Sequence, residues 1–349
     1  MVRKYKNYNF EPVKNARKIL WPIAVAYDGV TQLRNFLFDK EVFNSKVYNF
    51  PVIGIGNLST GGTGKSPMTE YVISLLNDSY RVATLSRGYG RKTTGYLDVS
   101  QNSTASEVGD EPLQFARKFK DVQVAVCENR VEGISKLREK SICPDVVVLD
   151  DVYQHRKVSP GLLILLTAYD DLFYQDLVLP AGNLREKRAG ADRADCIVVT
   201  KCPNNLSEEN QHKIRAKISR YSSAPVYFAA IAYSEIQSIR GSLDWEAFLN
   251  KKITVVTGIA KPKPFLKYLE SKKIDFNHLK FSDHHNFTED ELNKLDNSEI
   301  IITTEKDFVR LDGKLKKSKL YYIPIAFKFL DDAENFNEMI LNYIDSTSR

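Results

Sequence analysis

The sequence predicts an α/β fold. A mostly parallel sheet with helices on both faces is followed by a second, smaller α/β domain, joined to it by an extended two-stranded connector. Three observations carry this expectation. From about Tyr48 to Phe228, short apolar runs alternate with helical patterns, as in chains built from βα units. Runs such as Val146–Leu149 (VVVL) and Ile197–Thr200 (IVVT) are almost wholly apolar, which suits strands buried on both faces. A glycine-rich segment, Ser59–Ser66 (STGGTGKS), stands between one such run and a helical segment.

The elements follow in order. The chain opens with a basic arm: residues 1–46 hold nine Lys or Arg against four Asp or Glu, within a chain of net charge +6. Inside it, Ile19–Tyr27 (ILWPIAVAY) is uninterrupted and apolar, and Val30, Leu33 and Phe36–Phe38 continue the pattern. Pro22 suits a first helical turn, so a helix is expected to start there. Nine apolar residues in a row are too few to span a bilayer, which takes about twenty. Such a helix lies in a membrane interface or packs on the domain core; the residues alone leave both open. No cleavable signal peptide is expected, because the first eighteen residues are polar and basic without a cleavage pattern. Strands are then predicted at Val52–Ile55, Arg81–Leu85, Val122–Val126, Val146–Leu149, Leu162–Leu166 and Cys196–Thr200. Helices are predicted at Met68–Leu76, Glu111–Phe119, Val131–Glu139 and Glu208–Ser219. Near Tyr227 the pattern changes to an extended connector. A smaller α/β pattern follows, with apolar runs at Ile253–Ala260 and Glu299–Asp307. Tyr321–Phe329 is expected to pair with the connector before a last helix, Ala333–Ile344. The division is 1–46 as an N-terminal helical part of the first domain, 47–228 as the nucleotide-binding domain, and 229–349 as the smaller domain.

Composition narrows the function. Hydrophobic content of 43% and charged content of 27% are those of an ordinary globular protein. Cys127, Cys143, Cys196 and Cys202 show no C-x-x-C spacing. They read as reduced thiols, Cys127 and Cys196 in or beside strands, which argues for a reducing compartment and against a cysteine metal site. A guanine-reading N/T-K-x-D motif begins at Thr200-Lys201 but has Pro203 where its Asp belongs, which argues against a GTPase switch. The basic arm is interleaved with an apolar helix and accompanied by no nucleic-acid motif, so no nucleic-acid partner is expected.

Ser59–Ser66 reads as a phosphate-binding P-loop. Glycines let successive N–H groups turn toward one anion, and the helix that follows adds a partial positive charge. Ser59, Thr60, Gly61, Gly62, Thr63 and Gly64 form the cradle; Lys65 is placed for the β- and γ-phosphates, and Ser66 for Mg²⁺. Ser59 occupies the place of the usual first glycine. The fold class is therefore P-loop NTPase-like. Asp150 and Asp151 end the Val146–Leu149 run, where a Walker-B-type acid supports the metal. Adjacent carboxylates there call for a cation or donors nearby. Gln154 and His155 follow as polar neighbours. In Gly109–Pro112 (GDEP), Asp110 suits a helix N-cap, and a general base facing the γ-phosphate is the alternative; spacing does not choose. Ser86–Arg91 (SRGYGR) places two arginines in a glycine-rich loop suited to a phosphorylated ligand. In Leu179–Glu186 (LPAGNLRE), Arg185 suits transferring phosphate and Glu186 the metal. Asp283-His284-His285 is open to metal binding, proton relay or turn capping, and no third and fourth ligand with zinc spacing accompanies it.

Taken together, these blocks resemble the tetraacyldisaccharide 4'-kinases, the lipid A 4'-kinases of bacteria that build an outer membrane. GNLSTGGTGKSP, SRGYGR, GDEP, ENR (Glu128–Arg130), LDDVYQH, LPAGNLRE, VVTK (Val198–Lys201) and FSDHH occur in that order over most of the chain. The resemblance implies transfer of the ATP γ-phosphoryl, with Mg²⁺, to the 4'-hydroxyl of a tetraacylated glucosamine disaccharide 1-phosphate. It implies a peripheral place on the cytoplasmic face of the inner membrane, favours the membrane reading of the N-terminal helix, and suggests no obligate protein partner. Residue by residue, it implies Lys65 and Ser66 as the P-loop pair, Asp110 as the base and His284 as its partner. Asp150 and Glu186, with Ser66, belong to the metal shell. Arg87, Arg130 and Arg185 are phosphate and substrate contacts, with Ser86, Tyr89, Glu111, Asp151 and Gln154 on the substrate side. The chain departs from the family pattern at Val152, Tyr153, Asn183 and Lys187, which bears on loop geometry and acyl-chain preference.

Overall fold

A computed structural model describes residues 17–238 and 241–347. The start of the basic arm, residues 1–16, lies outside the described residues. In chain order the elements are α1 (Trp21–Asp39), β1 (Val52–Asn57), α2 (Lys65–Leu76), β2 (Val82–Ser86), β3 (Leu97–Val99), α3 (Ala105–Val108), α4 (Asp110–Lys118), β4 (Gln123–Val126), α5 (Arg130–Arg138) and β5 (Val146–Leu149). There follow β6 (Leu162–Ala168), β7 (Cys196–Thr200), α6 (Glu208–Ile218), β8 (Val226–Tyr233), β9 (Ile236–Ser238) and β10 (Gly241–Leu243). The chain continues with β11 (Ile253–Thr257), α7 (Lys263–Ser271), β12 (Phe276–Lys280), α8 (Glu289–Leu295), β13 (Ile300–Thr304), α9 (Glu305–Leu311), β14 (Lys319–Ile323), β15 (Ile325–Phe329) and α10 (Ala333–Thr347).

The described residues pack as two compact units, and the chain passes between them after Lys65, Asp150, Ala229 and Lys328. The passage after Ala229 falls where the sequence changes pattern. In the first unit, β1 pairs with β6, β6 with β7 and β7 with β8, all parallel. Strands β1 and β7 are buried at every position, as their apolar composition requires. Helix α10 packs in this unit rather than with the segment before it in sequence. Its buried Phe336, Ile340 and Ile344 recur at four-residue spacing, one face of a helix, and Phe336 meets Tyr227 and Phe329 at 5.2 and 4.7 Å between ring centroids. The Tyr343 hydroxyl accepts from the N–H of Val52 at 3.0 Å and so ties α10 to the start of β1.

The second unit holds β5, β2 and β4, paired in parallel, with β3 antiparallel at the edge. It also holds a six-stranded sheet in the order β10-β9-β14-β13-β11-β12. The β11, β12, β13 and β14 pairings are parallel, and β9 and β10 run antiparallel to their neighbours. This is the second α/β pattern. Two boundaries differ from expectation. The Tyr321–Phe329 run is two strands, because Pro324 has no N–H for a ladder and breaks it. The run Glu299–Asp307 is a strand only to Thr304; Thr304 then caps α9, accepting from the Asp307 N–H at 3.2 Å.

Asp110 is not an N-cap. Gly109, at φ 91°, occupies that position, and Asp110 is the first helical residue of α4. Only glycine takes that φ cheaply. Its placement leaves the Asp110 carboxylate free of capping, and the side chain goes elsewhere.

Candidate functional site

The glycine loop leaves β1 and enters α2 at Lys65. Gly61 and Gly64 take φ of 139° and 91°, which turns backbone N–H groups away from an ordinary strand direction. The loop is strapped from several sides. Asn57, at the end of β1, donates from Nδ2 to Thr63 Oγ1 at 2.8 Å. Thr200 Oγ1, at the end of β7, donates to the Thr63 carbonyl at 2.6 Å. Lys201 Nζ donates to the Gly62 carbonyl. The Thr60 N–H donates to the Asn183 carbonyl at 2.7 Å, and the Arg185 N–H to Leu58 at 2.7 Å. The VVTK and LPAGNLRE blocks thus brace the loop.

Around Lys65 the first unit assembles a charged network. Lys65 Nζ lies 3.6 Å from Asp151 Oδ1. Arg185 Nη1 reaches Asp151 at 3.1 Å and Gln154 Oε1 at 3.0 Å. Gln154 Nε2 donates to the Asn57 carbonyl at 2.9 Å and to Glu186 Oε1 at 3.1 Å. Glu186 also accepts from Arg193 at 2.9 Å and from Asn35 on α1 at 2.8 Å. Its carboxylate is therefore engaged by three protein donors, two on Oε1 and one on Oε2. Tyr153 Oη donates to the Gly190 carbonyl at 2.7 Å, and the Arg193 guanidinium lies 4.8 Å over its ring. Tyr153 is thereby built into the loop packing.

The second unit gathers the other candidates. Ser66 Oγ donates to Glu111 Oε1 at 2.8 Å. Glu111 also meets Lys306 Nζ at 3.4 Å, and Lys306 Nζ lies 3.0 Å from His284 Nε2. His284 Nδ1 is 2.9 Å from Asp110 Oδ2, and the Tyr89 ring meets the His284 ring edge-on at 5.5 Å. Arg310 Nε donates to Asp110 Oδ1 at 2.8 Å, and its Nη2 to Oδ2. Burial raises the pKa of Asp110, but the hydrogen bonds from Arg310 and His284 outweigh it and hold the carboxyl well below the usual range. Asp150, 2% exposed, ends β5 and accepts from Thr69 Oγ1 at 3.4 Å. Arg130, also 2% exposed, donates to the carbonyls of Cys127 at 2.6 Å and Asp150 at 3.2 Å. It braces the strand end, and a substrate contact from it requires that packing to open. Ser86 Oγ is buried and, among the described residues, meets no hydrogen-bond partner. Arg87 is exposed.

Three of these positions carry backbone strain. Asp151, Lys201 and His284 take φ of 49°, 57° and 56°, a region unfavourable for residues with a Cβ and tolerated where surrounding structure enforces it.

Comparison with known proteins places the chain in a family. A family model described as tetraacyldisaccharide-1-P 4'-kinase matches residues 16–345. The chain belongs to the tetraacyldisaccharide-1-P 4'-kinase family. A tetraacyldisaccharide 4'-kinase of Flavobacterium johnsoniae is 49% identical over 332 residues, covering 94% of this chain and 97% of that one. One from Bacteroides thetaiotaomicron is 41% identical, covering 95% and 94%. The crystal structure of LpxK from Aquifex aeolicus in complex with ATP superposes with a TM-score of 0.77 at 30% identity, covering 94% and 99%. The chain is thus a kinase with the P-loop-type α/β fold of that family.

The sequence reading missed Lys306, Asp307 and Arg310. The pattern Thr304-Glu305-Lys306-Asp307 is a helix-start signature. Read only as part of the smaller α/β pattern, the run Glu299–Asp307 did not reveal this helix start or the four-residue spacing that puts Lys306 and Arg310 on one face. It also missed a staple of three helices. Lys118 on α4 pairs with Glu70 on α2 at 2.6 Å and Glu305 on α9 at 3.4 Å. Those helices carry Ser66, Asp110 and Arg310. A cavity of about 560 Å³ is lined by Glu70, Lys118 and Glu305 with Tyr71 and Tyr322. Burial, then the nearby Glu70, push Glu305 up to about 7 against the pull of Lys118. An acid raised in the folded state keeps its proton there after the unfolded chain has lost it. Its contribution to stability is whole below the ordinary value of 4.5 and is lost as pH rises toward 7. Glu305→Gln is therefore expected to flatten the fall of stability between those two pH values, read by urea unfolding at each pH; an identical slope in wild type and variant would contradict the assignment.

Proposed function

We propose that this chain transfers the γ-phosphoryl group of ATP to the 4'-hydroxyl of a tetraacylated glucosamine disaccharide 1-phosphate, a step of lipid A biosynthesis. The observation that carries the reading is the linked set Ser66–Glu111–Lys306–His284–Asp110. It joins the last residue of the glycine loop to a buried, ionised carboxylate. A metal-supported phosphate site at one end and a proton acceptor at the other is what phosphoryl transfer to a hydroxyl needs.

The residues present fit the phosphates and Mg²⁺. A Cβ built on Gly61 would meet nothing within 4 Å, so that face of the loop is open. The ammonium of Lys65 and the N-terminus of α2 supply positive charge beside it. Ser66 and Asp150 offer the hard oxygen donors that Mg²⁺ takes together with waters. When bound, the ion neutralises charge on the β- and γ-phosphates. The chain's own residues do the rest. Lys65 and Arg185 contact phosphate, while Asp151 and Gln154 hold Arg185 in place. Glu186 holds Gln154 and Arg193, and its Oε2 retains a lone pair for the metal shell. Ser86, Arg87, Tyr89, Glu111 and Arg130 belong to the sugar side of the reading, Arg130 by bracing the Asp150 strand end. The 4'-oxygen attacks the γ-phosphorus, the bond to the β–γ bridging oxygen breaks, ADP leaves and the hydroxyl proton passes to Asp110. A carboxylate held this far ionised is a weak base. In a loose transition state the attacking hydroxyl keeps its proton until late, so orientation matters more than basicity. The proposed division of labour keeps nucleotide binding within 47–228, while His284 comes from 229–349.

We further propose that α1 lies in the membrane interface, on the cytoplasmic face of the inner membrane. No described helix is long and apolar enough to cross a membrane. Ile19, Trp21, Ile23, Val30, Leu33 and Phe36 are more than half exposed, while only Ala24 and Phe38 of the helix are buried. An exposed apolar surface of this kind marks an interaction site. The helix is tied to the catalytic loops through Asn35 to Glu186 and through Tyr27 Oη to the Arg185 carbonyl at 3.1 Å. An apolar cavity of about 350 Å³ beneath Trp21, Ala24 and Val25 offers room for part of an acyl chain.

Asp110→Ala, assayed with MgATP and the tetraacyl disaccharide 1-phosphate, is expected to lower kcat by about 10²–10⁴ with ATP affinity nearly unchanged; near-normal turnover would remove Asp110 as the acceptor. Trp21→Ser with Ile23→Ser is expected to weaken partitioning onto anionic vesicles severalfold in flotation assays, whereas unchanged partitioning would assign α1 to a packing role.

A further inference from the structure

Resting on the reading of Asp110 as proton acceptor, we propose that α9 carries the positioning residues of that acceptor. Arg310 clamps the Asp110 carboxylate in one orientation, and Lys306 fixes the His284 proton on the nitrogen that faces it.

The clamp is two-pronged: Nε of Arg310 serves one carboxylate oxygen and Nη2 the other. A guanidinium in this fork geometry sets the plane of a carboxylate as well as its charge. Arg310 is itself held. Its Nη1 donates to Asp307 at 3.3 Å, and Asp307 accepts from the Gly258 N–H at 2.9 Å and from Thr304 Oγ1 at 2.8 Å. Arg310 is 4% exposed and Asp307 fully buried. Three and four residues apart on a helix, 307 and 306 both lie beside 310.

Donor chemistry fixes the His284 tautomer. An ammonium only donates. With Lys306 Nζ 3.0 Å away, Nε2 of His284 must accept, so the proton sits on Nδ1 and is donated to Asp110 Oδ2. The approach of Arg310 Nη2 to His284 Nδ1 at 3.0 Å then follows from two donors sharing one carboxylate oxygen. His284 is held in its left-handed conformation by an N–H to Gly258 at 3.2 Å.

The charged and titratable groups facing Asp110 are Glu111 on α4, Tyr89 after β2, Asp283 and His284 in the loop before α8, and Lys306, Asp307 and Arg310 on α9. Among the described residues, only Arg310 grips both carboxylate oxygens. Without it, burial acts on Asp110 with less opposition and the carboxyl takes up a proton at higher pH.

The test is a pH profile of kcat and kcat/KM from pH 4 to 9 for wild type, Arg310→Gln and Arg310→Lys, with thermal unfolding as the check on folding. Wild type is expected to show no acid limb from Asp110, because its carboxyl titrates below that window. Arg310→Gln is expected to lower kcat by at least about tenfold at pH 8, with a smaller change in the KM for ATP, and to move the acid limb upward into the window. Arg310→Lys returns the charge without the fork: the acid limb is expected back below the window, as in wild type, while part of the kcat loss remains. Should Arg310→Gln not fold, Arg310→Lys still decides by that split. Lys306→Met is expected to lower kcat, and Lys306→Gln, which keeps a donor for Nε2, to recover much of it. A loss uniform across pH in both Arg310 variants, or equal activity in Lys306→Met and Lys306→Gln, would overturn the positioning role. Normal turnover in Asp110→Ala would instead show that the acceptor itself had been misassigned.

Discussion

Backbone N–H groups converge on an anion only where side chains are out of the way, and the turn from Ser59 to Gly64 supplies that place. Its usefulness depends on being held. Thr200, Lys201 and Asn183 hold the turn from distant stretches of the chain, Asn57 holds it from the end of β1, and Arg185 bonds Leu58 just before it. A buried parallel strand on one side and a helix N-terminus on the other fix its ends. Lys65, Asp151, Gln154, Arg185 and Glu186 then follow as a network in which each charge is met by another. The strained backbone at Asp151 and Lys201 is tolerated because so many contacts over-determine it.

The second unit solves a different electrostatic problem. Under the proposed reading, Asp110 must stay ionised although nearly out of water. Burial pushes the Asp110 carboxyl up; Arg310 and His284 more than reverse that. The nearby Glu305 shows the alternative. There burial and a second carboxylate prevail over Lys118, and the acid is raised instead. Neighbouring acids of opposite behaviour, both anchored on α9 partners or on α9 itself, show how one short helix governs the charge state of its surroundings.

Much of this was legible in the sequence, for physical reasons. Strand-length apolar runs such as Val146–Leu149 and Cys196–Thr200 have no other stable use, and both fell where expected. The P-loop was readable because its spacing is imposed by phosphate geometry. Asp110 and His284 stood in short distinctive blocks, yet their pairing spans 174 residues and no local rule reveals it. Asp110 also looked like a helix cap, since a short acid before Pro112 is normally one; Gly109 took that position instead. Arg310 was hidden because Glu299–Asp307 was read only as part of the smaller α/β pattern, with no helix start placed at Thr304. Arg130 and Glu186 show the limit of residue type as a guide: one is held by carbonyls and the other by an opposite charge, and only packing tells which.

The most direct measurement is phosphoryl transfer itself, with the position of the product phosphate determined. Wild type and Lys65→Ala would be incubated with Mg²⁺, γ-labelled ATP and tetraacyl disaccharide 1-phosphate in mixed micelles. The account predicts label on the 4'-position with wild type and almost none with Lys65→Ala. ATP hydrolysed without labelled lipid, or equal labelling by the two proteins, would contradict it.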